Sequence, residues 1–256
     1  LNTNTGAYLA RNIGAVFAKA SILLFLDDDG IPSDHLLSAH LEQYNSYDII
    51  CARGAIRPKT DNPLNKTASH YYLGPNPFPI YPDTEGNFSI KAEIFFKIGG
   101  WDDNIRFGCG GVELSRRLFD IEPELRKQIY IPSAEIFHDY AVDDQHLNEK
   151  VSKQNNSRKY LRQKHPDYDH FLKMWHPFWK RPDTLIRIES SGLKHNSINN
   201  SERQPQNSMP VNDFNKFVQS DSENTRLSIN HGSPSISVIM AAYNAGAYLK
   251  KSIDMT

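Results

Sequence analysis

The stretch ILLFLDDDG, residues 22–30, joins five consecutive apolar side chains to three consecutive carboxylates. An apolar run of this length reads as a strand covered on both faces, as in the parallel sheet of an α/β protein, and Asp27 begins the loop at its carboxyl end. Loops at that end are where open α/β sheets bind ligands. Three adjacent like charges repel one another and resist desolvation, so a compensating positive charge is expected beside Asp27, Asp28 and Asp29.

The neighbouring segments agree with an α/β chain. Residues 7–20 (AYLARNIGAVFAKA) carry apolar side chains at near-helical spacing, which predicts a helix packed on the sheet by one face. Pro32-Ser33-Asp34 precedes an amphipathic helix over 35–44, and residues 47–52 read as the next strand. Residues 58–82 are rich in Pro, Asn and Tyr and predict an irregular surface excursion near the site. Further along, 86–90 reads as a strand, 92–98 as a helix stopped by Gly99-Gly100, 112–120 as a helix, 129–137 as a strand and 145–164 as a polar, basic helix. From 182 to 234 the composition turns to Ser, Asn, Gln and charge with few large apolar residues, which predicts a linker. Residues 236–244 again have a buried-strand pattern, followed by helical spacing over 247–253.

The 256 residues, 39 % hydrophobic and 23 % charged, suffice for one main domain with a full core. A formal net charge of −1 gives no general reason to expect a nucleic-acid or acidic-membrane partner, so a basic site must be local. Cys51 and Cys109 lack metal-ligand or redox spacing and predict a disulfide-free protein of a reducing compartment. No apolar run approaches the roughly 18–20 residues of a bilayer-spanning helix, and a soluble protein is expected. The chain opens at Leu1 within helix-like sequence and closes within a strand-helix pattern, which reads as a fragment of a longer protein.

Several separated pieces together resemble the family 2 glycosyltransferases of the GT-A fold: Ala10-Arg11-Asn12-Ile13-Gly14, LDDDGIP, GNFSIKAEIFFKIGGWDD, VELSRRL and IFHDY, in the family's order. The resemblance spans about residues 6–166 and implies a Rossmann-like mixed sheet flanked by helices, lacking the family's N-terminal nucleotide-binding half. By the same resemblance ISVIMAAYNAGAYLKKSI is similar to the first strand and helix of a second such domain, an arrangement similar to tandem-domain bacterial polysaccharide synthases. The implied organisation is a catalytic part over 1–181, a linker over 182–234 and a truncated second domain over 235–256. Packing of that last strand against the first domain's incomplete sheet is the alternative.

What the resemblance implies chemically is inverting transfer of a sugar from a nucleotide-sugar donor, a UDP-sugar, to a saccharide acceptor with Mn²⁺ or Mg²⁺. Asp29 and His138 are the implied metal ligands; Asp27, Asp28, Gly86, Asn87 and Arg11 are the implied donor-binding residues, and Trp101 and Asp102 the acceptor-binding ones. Asp139 and Tyr140 would orient His138, and aromatics of the 58–82 excursion would stack on the acceptor or simply pack. The general base is the point of departure. The family carries an acidic pair before a Leu-x-x-Arg-Leu helix, and Gly110-Gly111 stand there in this chain. Glu113 is the nearest carboxylate and the expected base, with Asp102 or Asp103 as alternatives; Arg116 and Arg117 are expected to pair locally. The fragment alone is expected to turn over little, and its parent to work in the cytoplasm, at the inner face of the membrane. The competing expectations are a non-catalytic saccharide-binding or scaffolding domain of a larger synthase, and an unrelated α/β protein with an acidic loop.

Overall fold

The computed structural model describes residues 6–174, 181–188 and 235–240. Most of the expected linker, and the expected helix over 247–253, lie outside the described residues. The strands are β1 (Ile22–Leu26), β2 (Ile31–Pro32), β3 (Cys51–Arg57), β4 (Phe78–Pro79), β5 (Asn87–Lys91), β6 (Gln128–Phe137) and β7 (Ile236–Met240). They form one mixed sheet in the order β2-β6-β3-β5-β1-β7, with β4 added on β6. β1 is antiparallel to β5 and parallel to β7, β3 is antiparallel to β5 and parallel to β6, and the β3–β6 register shifts between Gly54 and Ala55.

All five residues of β1 are buried, as the unbroken apolar run requires. Its alternate residues serve two cores. Leu23 and Phe25 join Phe88, Phe95, Trp101 and Leu114 on one face, whereas Ile22, Leu24 and Leu26 join Leu36, Ile56 and Ile136 on the other. The first face is covered by α1 (Ala7–Phe17), α3 (Ala92–Lys97), α4 (Gly110–Ile121), α5 (Asp144–Lys164) and α6 (Tyr168–Met174), and the second by α2 (Leu36–Ser46). The expected α/β class, with helices flanking a mixed sheet, is what the structure has.

Two boundaries depart from the sequence reading. The strand expected over 47–52 lies at 51–57, because residues 46–48 turn aside to bond with 186–188, Asp48 N donating to Ile186 O at 2.9 Å and Ile188 N to Ser46 O at 2.9 Å. The helix expected over 112–120 begins two residues earlier, on the glycine pair. α6 has no counterpart in the sequence reading. β7, read as the head of a second domain, hydrogen-bonds along β1, pairing Ile22 with Ile236 through Leu26 with Met240. The excursion over 58–82 is irregular apart from one turn of 3₁₀ helix, Pro63–Thr67, and the two residues of β4.

Candidate functional site

The carboxyl ends of β1 and β6 lie on one rim of the sheet, and there the acidic turn meets a histidine. Asp27, directly after β1, accepts a 2.5 Å hydrogen bond from Arg11 Nη2. This is the compensating charge demanded by the acidic run. Arg11 is held in place by α1, whose buried face is Tyr8, Arg11, Asn12 and Ala15. Asn12 clamps the backbone of Trp101 from both sides, its Nδ2 donating to Trp101 O and its Oδ1 accepting from Trp101 N, each at 2.8 Å. The Arg11 guanidinium also lies 5.6 Å from the Tyr8 ring centre and 5.9 Å from that of Trp101, within cation–π range.

Asp29 projects outward, its side chain 60 % exposed, and meets His138 Nε2 at 3.1 Å. Partial burial pushes its carboxyl upward, but the His138 hydrogen bond and charge and nearby Lys59 together hold it below the usual Asp value. Lys59 Nζ donates to the Asp29 carbonyl at 2.9 Å. Ligand atoms of Asp27, Asp29 and His138 all lie within 4.8 Å of one another, the one such metal-capable group among the described residues. Two carboxylates and an imidazole suit a divalent cation such as Mn²⁺ or Mg²⁺, and their spacing lets one ion reach all three. The residues present therefore fit the implied metal.

Gly86 belongs to this rim for steric reasons. A Cβ there would fall 2.1 Å from Asp27 Oδ2, so only glycine lets the segment entering β5 run against that carboxylate. Asp28 lies in the same turn but outside the three-residue group. A cavity of about 140 Å³ adjoins His138, with Ile56, Asn65, Tyr71 and Tyr72 among its lining residues, so the aromatic excursion does border the rim.

Other expected site residues are placed elsewhere. Asn87 is wholly buried beneath the rim, its Nδ2 donating to Ala55 O at 3.0 Å and Ala134 O at 2.9 Å, so it ties β5 to β3 and β6 and offers nothing to a donor. With that amide committed, Asn87 Oδ1 must accept from His40 Nε2, 2.9 Å away, and His40 Nδ1 then accepts from Ser89 Oγ at 2.8 Å. Burial accordingly pushes His40 down to about 4. Trp101 is fully buried against Phe25, Phe88 and Tyr8, a core plug with no face for an acceptor sugar. Asp139 does not orient His138: its carboxylate accepts from Lys59 N, Thr60 N, Thr60 Oγ1 and Asn65 Nδ2, binding the 59–65 loop. Tyr71, with its ring centre 6.0 Å away, packs edge-on against the His138 ring instead.

Glu113, the expected base, is closed off. It is wholly buried and receives Arg117 Nε at 2.8 Å, Arg117 Nη2 at 2.6 Å, Lys164 Nζ at 2.7 Å and His165 Nε2 at 3.2 Å. Burial alone would raise its carboxyl, but Arg117, His165 and Lys164 overcome that and hold it far below the usual Glu value. A carboxylate so firmly ionised is a poor proton acceptor. Asp102 shares the network, being buried and bonded to Tyr160 Oη at 2.9 Å and Lys164 Nζ at 2.8 Å, so it too is unavailable to an acceptor. Arg116 pairs with Asp120 and Asp167, the local role expected of it.

Two residues near the rim were not singled out in the sequence. Glu85 precedes Gly86 and feels the charges of Arg11 and Asp27. Lys150 lies on α5, bonds Tyr140 O at 2.8 Å and feels Asp27, Asp29 and Glu85 together. A Glu next to a Gly-Asn pair is a usable sequence signal for the first; one lysine in a basic helix is none for the second.

With this geometry in place, comparison with known proteins adds a partial family match. The model described as Glycosyl transferase family 2 matches residues 1–101. No curated protein matches the chain. Among solved structures, "GalNAc-T7 with UDP, GalNAc and Mn2+" is similar at 17 % identity and a TM-score of 0.43, covering 69 % of this chain. The chain spans 41 % of that protein's length. No helix among the described residues is long and apolar enough to cross a membrane.

Proposed function

We propose that this chain carries the cation and donor end of a glycosyltransferase that moves a sugar from a nucleoside-diphosphate sugar to a saccharide acceptor. The observation that carries the reading is the convergence of Asp27, Asp29 and His138 at one sheet rim, in a chain whose first 101 residues match the family 2 glycosyltransferase model. A divalent cation held by these residues would neutralise charge on the departing diphosphate. The chain's own residues supply the rest: Arg11 fixes the Asp27 carboxylate, Gly86 leaves room for it, and Lys150 adds positive charge on the α5 side. Inversion at the anomeric carbon, a uridine donor, and polysaccharide synthesis on the cytoplasmic side of a bacterial membrane by a peripheral tandem-domain protein complete the reading.

The test is calorimetric. UDP titrated into the full-length parent protein with Mn²⁺ should give saturable heat that vanishes with chelator, and no heat in either condition would end the reading. A non-catalytic, saccharide-binding role is favoured by one observation, the closure of Glu113 inside its ion-pair network. Donor binding without sugar transfer by any length of the parent protein would select that role.

A further inference from the structure

The glycine pair at the start of α4 is not an empty place. Gly111 N donates to Glu85 Oε1 at 2.8 Å, and Tyr8 Oη donates to the same oxygen at 3.1 Å while accepting from Gly110 N at 3.0 Å. A carboxylate from the segment leading into β5 therefore occupies the helix entrance where the sequence lacks one. The glycines permit this. A Cβ on Gly110 would fall 2.3 Å from the Tyr8 ring, and one on Gly111 2.9 Å from Pro82 O, so any larger pair would push Tyr8 and residues 82–85 away.

Glu85 also belongs to the rim in a way Glu113 does not. The next residue, Gly86, runs against the Asp27 carboxylate. Arg11 and Asp27 act on Glu85, and Glu85 acts with Asp27 and Asp29 on both Tyr71 and Lys150. The residue is partly exposed, whereas Glu113 is sealed.

Resting on the glycosyl-transfer reading above, we propose that Glu85 is the general base of this site. As the acceptor hydroxyl oxygen bonds to the anomeric carbon, the bond from that carbon to the diphosphate oxygen breaks and its electron pair leaves with the diphosphate. The hydroxyl proton passes to the Glu85 carboxylate. Tyr8 and the Gly111 amide hold the carboxylate in place throughout. Burial also pushes the Glu85 carboxyl above the usual Glu value, with Arg11 and the Gly111 amide offsetting part of the rise, which suits a proton acceptor better than the firmly ionised Glu113.

Glu85→Gln tests this, because the amide keeps a carbonyl oxygen for Tyr8 and Gly111 yet cannot take the proton. In the full-length parent protein, UDP release from UDP-GlcNAc and UDP-GalNAc with oligosaccharide acceptors should fall about 100-fold or more in kcat. Calorimetric affinity for UDP with Mn²⁺ should stay within about twofold, and melting should be unchanged. Formate added to Glu85→Ala should restore part of the lost rate. Glu85→Gln turning over within about threefold of the parent, or losing UDP affinity in step with rate, would overturn the assignment. A parent protein that binds UDP with Mn²⁺ but releases none from either sugar nucleotide would overturn the base and favour the non-catalytic role. Absence of UDP binding would overturn the transfer reading and this inference with it.

Discussion

Two groups of carboxylates fare differently. In the interior, Glu113 and Asp102 meet Arg117, Lys164, His165 and Tyr160 at 2.6 to 3.2 Å, and their acceptor atoms are taken up by the chain's own donors. At the rim, Asp27, Asp29 and Glu85 converge with Arg11, His138 and Lys150 nearby, while Asp29 stands largely in solvent. The first group is finished by folding; the second leaves ligand atoms of Asp27 and Asp29 within 4.8 Å of one another and of His138, where a cation could lie among them. A carboxylate that the fold neutralises contributes to stability, and one that it leaves crowded is available to a ligand.

Substitutions can break this contrast, and the interior should give the largest response. Glu113→Ala strands the Arg117 and Lys164 charges in a buried pocket and should cost about 3–5 kcal/mol in urea unfolding; a loss under about 1 kcal/mol would show the network to be inert. Acid should dissect the same region. Below about pH 4.3 the unfolded chain binds a proton at Glu113 that the fold refuses, so stability present above that pH is lost progressively toward the lower folded value. His40 acts earlier: its folded value of about 4 lies below the ordinary 6.5, so its contribution is present above pH 6.5 and is lost as pH falls toward 4. Urea midpoints from pH 8 to 3 should show both declines, with Glu113→Gln flattening only the second.

Gly86→Ala should come next, at about 1–3 kcal/mol, because the new methyl must displace the Asp27 carboxylate. It should also weaken UDP binding in Mn²⁺, and unchanged affinity would mean that Asp27 is not a ligand. Asp29→Asn should be smallest in stability, within about 0.5 kcal/mol. Yet it should lower Mn²⁺-dependent UDP affinity at least about tenfold, a split that no interior substitution should reproduce.

The rim was legible in the sequence where chemistry and position coincide along the chain. An apolar run ending in Asp-x-Asp marks β1 and its loop, and the strand leading into His138 brings the imidazole to the same rim. The base was not legible, because pairing partners of Glu113 sit some fifty positions away: Lys164 and His165 reach it only in the folded chain, although the Arg117 partner four residues on was visible. Glu85 was hidden for the converse reason, since its place beside α4 depends on Tyr8 and the glycine pair. β3 was shifted because it contains Arg53, a polar residue fully buried by bonds to Asp83, His70 O and Tyr71 O that no alternation pattern reveals. Trp101 illustrates the limit of residue type: an aromatic after a glycine stop serves a sugar face or a core equally well, and only packing decides.

The pairing of β7 with β1 has a consequence for how the molecule is assembled. Ser21 and Ser235 are hydrogen-bonded across 214 positions of chain, so β1 pairs on this side with a strand synthesised long after it. Contacts of such sequence separation form slowly. Until that strand docks, β1 presents an open row of amides and carbonyls on an entirely apolar ribbon, the kind of edge that recruits other chains. Refolding at rising protein concentration should therefore lose yield to aggregation, and a synthetic peptide of the β7 sequence added in trans should recover it.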